Sequence, residues 1–125
     1  MNTFNASSAA ARYKGVQVKT CSPVQLLVML FDGAIRFVDE AETAMAAKDW
    51  ARVGDRIGKA HAILVELAST LDRDQAPELC DNLFAIYTFC MAHLLEANLH
   101  QDPKRLQEVV TALTPLREGF SAISG

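Results

Sequence analysis

A chain of 125 residues is the length of one domain, and with 50% hydrophobic and 22% charged residues it has the composition of a packed globule, not of a disordered or repetitive sequence. Its net charge of -3 includes no basic stripe, which argues against nucleic acid as a partner. The uncharged stretch 20–31 falls short of the roughly 18–20 residues that cross a bilayer, and no apolar run follows a basic start. Neither membrane insertion nor a secretory signal is expected, and the chain is expected to stay in the cytosol.

Residues 1–21 read as a mobile N-terminal arm, small and polar with isolated large side chains at Phe4, Tyr13, Val16 and Val18. All the acidic residues lie at or after Asp32, so Arg12, Lys14 and Lys19 make the arm basic and the remainder acidic. Ser22-Pro23-Val24-Gln25 combines a capping serine, a proline at the first helical position and a glutamine three residues after the cap, which predicts a first helix over 22–48. Asp49 caps a second over 50–71. Pro77 opens a third over 77–100, and Asp102-Pro103 starts a fourth over 103–120. Pro115 lies inside this last pattern, so a kink or restart is expected near Thr114, with no regular helix after Phe120. Short turns between four helices predict an all-α fold: an antiparallel four-helix bundle, with the arm or a short extra helix packed on it, in one domain over 1–125.

Helices 1 and 3 are apolar over about 140° to 180° of their circumference at 100° per residue. On helix 1 this arc holds Leu26, Leu30, Phe31, Ala34 and Val38; on helix 3 it runs from Leu79 through Leu83, Phe84, Tyr87 and Met91 to Leu95. Helices 2 and 4 show only single stripes, through Ile57 and Leu64 and through Val109 and Leu113. An ordinary surface helix needs roughly 100° of apolar face, so helices 1 and 3 carry an excess that something must cover. One reading is a groove for a foreign amphipathic helix, with the arm as its cover; the other is complete burial by the arm and the bundle interior.

Catalytic chemistry is not indicated. Cys21, Cys80 and Cys90 have no metal-type spacing and read as free thiols. His93, Glu96 and His100 share a face of helix 3, but that face is otherwise polar and reads as solvated. His61 could suggest a histidine phosphotransfer or other signalling bundle, although the Ile63-Leu64-Val65 run after it lacks the lysine and glycine that suit phosphate approach. No phosphate-cradling glycine loop or hydrolase serine occurs. No cofactor or metal is expected, and no enzyme.

An ordered set of segments spans nearly the whole chain: Tyr13 with Val18-Lys19-Thr20-Cys21-Ser22-Pro23; Leu26 through Met29-Leu30-Phe31-Asp32-Gly33-Ala34-Ile35; Lys59-Ala60, Ile63 and Glu66-Leu67; Leu71-Asp72; Asn82-Leu83 through Ile86-Tyr87; and Leu95-Glu96-Ala97-Asn98. In this set the sequence resembles the flagellar export chaperones of the FliS family. It departs from their pattern at Pro115 and at Phe120, where the family typically has tryptophan. The resemblance implies a cytosolic protein that binds the disordered C-terminal segment of flagellin, prevents premature polymerisation and aids delivery to the flagellar type III export gate, whose cytosolic domain is a second partner. It also implies that Tyr13, together with Val16 and Val18, covers the client surface of the free protein. The client-binding residues are expected to be Leu27, Phe31, Ile35 and Val38 on an exposed flank of helix 1, and Ile86, Tyr87 and Asn98 on helix 3. A monomer or weak dimer is expected when client is absent. The alternative from another class is the phosphotransfer or signalling bundle built on His61.

Overall fold

Two of the three corners of the molecule are made by the same pair of residue types, a long polar residue followed by aspartate. The computed structural model describes residues 23–124, whose regular structure is four α-helices: α1 Pro23–Ala46, α2 Trp50–Ser69, α3 Pro77–His100 and α4 Pro103–Ile123. Lys48 and Gln101 take left-handed backbone, with φ of 59° and 54°. This turns the chain so that the amide of the next residue, Asp49 or Asp102, reaches back to the carbonyl of Ala44 or Ala97. The same aspartate then caps the following helix. Asp49 Oδ1 accepts from the amide of Arg52 at 3.3 Å, and Asp102 Oδ1 from that of Lys104 at 3.0 Å. Helix α1 therefore stops at Ala46, two residues before its expected end, and the stop is not visible in the sequence because the left-handed residue is a lysine and not the glycine that usually signals it.

The remaining corner, 70–76, is longer. Helix 2 ends at Ser69, where the Thr70 hydroxyl donates to the Leu67 carbonyl at 2.7 Å. Pro77 opens α3 in the first turn. Ser22, the expected cap of α1, lies outside the described residues.

Helix α1 packs on α2 and α4, and α3 packs on the same two from the other side, so α1 and α3 stand across the bundle from each other. Leu26, Leu30, Leu64, Leu94, Leu106 and Leu113 are among the fully buried side chains. The diagonal is bridged by aromatic rings: Phe31 lies 6.2 Å from Tyr87, centroid to centroid, and stacks on Phe120 at 5.7 Å. Cys80 and Cys90 are buried free thiols, and Cys21 lies outside the described residues. Among the described residues no helix is long and apolar enough to cross a membrane.

Helix α4 corrects the expectation drawn from Pro115. It runs as one helix to Ile123, and the chain stays helical after Phe120. Pro115 is exposed, so the missing amide and the bulk of the ring fall on the solvent side. Just before it, the Thr114 hydroxyl donates to the Val110 carbonyl at 2.7 Å. Beyond it, Phe120 under Phe31 and Arg117, whose Nε donates to Asp32 Oδ1 at 2.7 Å, hold the last two turns against α1. Tertiary contact outweighs the local cost.

Candidate functional site

The apolar excess of α1 and that of α3 meet different fates. Among the described residues no large hydrophobic side chain of α1 is left exposed, whereas α3 leaves five: Leu79, Phe84, Phe89, Leu95 and Leu99, the last two at 57% and 73% exposure. Phe31 and Val38 are 0% exposed, which corrects their expected place on an open flank of α1. The reason is enclosure from both sides, with α2 and α4 closing over the arc and Phe120 lying on Phe31. Leu27 and Ile35 are half-buried against the core. On α3, Tyr87 is buried, Ile86 is half-buried and Asn98 is exposed. Tyr13, Val16 and Val18 lie outside the described residues.

Ion pairs fix which way each helix is turned. On α2, Arg56 Nε stands 3.0 Å from Glu40 Oε1 of α1 and Arg52 Nη2 stands 3.9 Å from it. The arginine flank thus lies against α1, and helical periodicity turns Gly54, Gly58, His61 and Val65 toward α3. On α3, His93 Nε2 lies 3.1 Å from Glu108 Oε1 of α4, so the opposite flank, with Phe84, Met91 and Leu95, turns toward α2. A Cβ at Gly54 or Gly58 would meet nothing within 4 Å. The strip between α2 and α3 is therefore a shallow apolar trough. Phe84 and Leu95 stand on one bank, exposed Val65 is on the other, and glycines leave the second bank low.

Asp72, Asp74, Glu78 and Asp81, all exposed, surround the end of this trough nearest the start of α1. Arg73 sits among them, paired with Asp81 and with its guanidinium carbon 5.8 Å from the centroid of the Phe84 ring. On its other side α3 carries Leu79, Ile86 and Phe89 beside α4, where Gly119 again faces open space. Apolar surface thus flanks the core-facing stripe of α3 on both sides. An apolar surface this wide exceeds what a bundle helix needs to face its core.

Elsewhere the described residues offer little chemistry. A cleft of about 640 Å³ opens at the other end of the bundle, lined by Met45, Trp50, Pro103 and Glu42 among others. The carboxylate of Glu42 is occupied there, accepting from Gln107 Nε2 at 2.7 Å. Burial pushes the Cys90 thiol up to about 12 and raises the Tyr87 hydroxyl, so neither group is prepared for nucleophilic attack. His61 is half-buried on the α2 flank that turns toward α3, and is not the fully exposed histidine a phosphotransfer bundle presents. His93 and His100 are each paired with a carboxylate, Glu108 and Glu96, and no group of three such side chains among the described residues could hold a metal ion.

The outward residues of α3 were only partly visible in the sequence. Leu79, Phe84 and Leu95 fell within its apolar arc but could not be separated from the buried Leu83, Tyr87 and Leu94. Phe89 and Leu99 fell outside that arc, and the signal that could have found them was large hydrophobic side chains on an otherwise polar side of the helix.

The sequence matches the model of the family described as "Flagellar protein FliS" over residues 5–125. It is 32% identical over 123 residues to the flagellar secretion chaperone FliSB of Pseudomonas aeruginosa, covering 95% of this chain and 98% of that one. It is 33% identical over 108 residues to the flagellar secretion chaperone FliS of Salmonella typhimurium, and 32% identical over 108 residues to that of Bacillus subtilis, in each case covering 86% of this chain and 80% of the relative. Secretion chaperone is a non-enzymatic role, and it suits a helical bundle whose most unusual feature is an uncovered apolar helix. With the match running through nearly its whole length, the chain belongs to the FliS family of flagellar proteins.

Proposed function

We propose that this export chaperone acts in the cytosol by holding the C-terminal segment of flagellin as amphipathic helix against α3, and releases it at the flagellar type III export gate through contact with the gate's cytosolic domain. The observation that carries this reading is the exposure of Leu79, Phe84, Phe89, Leu95 and Leu99, spread over both flanks of a helix whose buried stripe already satisfies the bundle. A segment disordered when free and helical when bound can cover such an extended surface at modest affinity per unit area, which suits a client that must be released.

In this reading Ile86 and Asn98 belong to the client surface, while Phe31, Val38 and Tyr87 support it from beneath. Leu27 and Ile35 remain candidates at the margin of α1. The arm, with Tyr13, Val16 and Val18, is the proposed cover of the free protein. Its Arg12, Lys14 and Lys19 suit the acidic corner of Asp72, Asp74, Glu78 and Asp81, and α1 starts at the same end of the bundle. A covered protein would be a monomer or a weak dimer.

Calorimetry against a peptide of roughly the last 40 residues of the organism's own flagellin, with circular dichroism on the same mixture, tests the reading. Saturable binding with a gain in helicity is expected, and Phe84→Asp and Leu95→Asp should each weaken it by at least about tenfold with the fold intact. A peptide that does not bind, or binds both variants unchanged, would refute the proposed surface.

A further inference from the structure

His93 sits on the flank of α3 that faces α4, with 15% of its side chain exposed. Its Nδ1 is 3.0 Å from the carbonyl oxygen of Phe89, one turn earlier. A carbonyl only accepts, so Nδ1 carries a hydrogen and donates it. The Phe89 ring lies on the imidazole, with 3.9 Å between centroids.

This leaves Nε2, which faces two groups of α4 that require opposite things of it. Glu108 Oε1, 3.1 Å away, is an acceptor and requires a hydrogen on Nε2. Arg105 Nη1, 3.5 Å away, is a donor and requires a lone pair there. One nitrogen cannot satisfy both at once. Arg105 has a second partner in reserve, the Asp102 carboxylate at 3.7 Å. On α3 itself Glu96, three residues on, holds His100 at 3.4 Å.

We propose that His93 is a proton-operated selector on the seam between α3 and α4. With two ring hydrogens it donates to Glu108, and Arg105 turns to Asp102. With one it accepts from Arg105, and Glu108 turns to water. Phe89 carries the change to the surface, since a cationic ring attracts the phenyl face more strongly than a neutral one. With two ring hydrogens on His93, Phe89 is held against α3; with one, it is freer to meet a partner. This last step rests on the proposed client surface, whereas the selector itself does not.

Long-range proton–nitrogen correlation spectra of the full chain with labelled histidine, recorded from pH 5 to 8.5, test the selector without a client. The neutral form of His93 should carry its hydrogen on Nδ1. Glu108→Gln should move the His93 transition to lower pH and Arg105→Gln to higher pH, each by about half a unit or more. The transitions of His61 and His100 should stay in place. A neutral His93 with its hydrogen on Nε2, or a transition that neither substitution moves, would overturn the selector; the tautomer is read on the unsubstituted protein and needs no variant to fold. For the surface step, the flagellin peptide should bind several-fold more weakly at a pH below the His93 transition read from the spectra than at one above it, a difference that His93→Gln abolishes. Equal pH dependence in that variant would overturn the link to Phe89. A peptide that fails to bind at either pH counts against the export reading alone, and the spectra still decide the selector.

Discussion

Three helices meet at Phe31, which belongs to α1 and touches the rings of Tyr87 on α3 and Phe120 on α4. Truncating such a side chain removes its transfer free energy and leaves a cavity between helices that cannot close independently. Phe31→Ala should therefore lower the unfolding free energy in urea by about 3–5 kcal/mol. Phe31→Asp should not fold at all, in contrast to Leu95→Asp. Cys90 gives a second test at this scale. Its thiol ionises at pH 9.0 by the ordinary value and only at about 12 in the folded chain, because burial penalises the thiolate. The folded state thus keeps a proton that the unfolded state loses, and its contribution to stability, fully present below pH 9, is lost as pH rises toward 12. Urea midpoints measured from pH 8 upward should fall, and should fall less in Cys90→Ala. Tyr87, raised in the same direction, adds to the slope.

Among the elements, the two aspartate corners place opposing effects in adjacent residues. Lys48 and Gln101 hold left-handed backbone that costs an L-residue about 1–2 kcal/mol, and the next residue recovers stability by ending one helix and capping another. Asp49→Ala and Asp102→Ala should each cost about 1 kcal/mol. Lys48→Gly should raise stability by up to about 1 kcal/mol, read as an upward shift in the urea midpoint. These corners were half legible: the capping aspartates follow from chemistry visible in one residue, but nothing in a lysine announces a positive φ. Helix α4 taught the reverse lesson. Its proline is a strong local signal, and it was overruled by Arg117 on Asp32 and Phe120 on Phe31, contacts across more than 80 residues of sequence that no local pattern encodes.

Across the whole molecule, the open flanks of α3 are explained by what its neighbours offer it. Both α1 and α3 are wide apolar helices, and both pack against α2 and α4. Toward α1 those two helices turn Arg52, Arg56, Arg117 and Phe120, long side chains that fold over it. Toward α3 they turn Gly54, Gly58 and Gly119, beside which nothing fills the space. Periodicity disclosed the two wide arcs but not which neighbour flank each would meet, and so Phe31 and Val38, expected on an open flank of α1, are buried. The four helices and their order were legible because each start carries its own proline or aspartate.

The corners also divide the chain unequally. Tight turns at 47–49 and 101–102 join α1 to α2 and α3 to α4 at one end, while the corner 70–76, exposed at 72–75, is the covalent link between the two pairs at the other. The molecule is thus two helical hairpins tied by a strap that makes little of the core. Protease cleavage within that strap should leave both pieces associated, with helicity and client binding retained and only the denaturation midpoint becoming dependent on concentration. In engineering terms 72–75 is a split site: two fragments, expressed apart, should find each other and rebuild the chaperone.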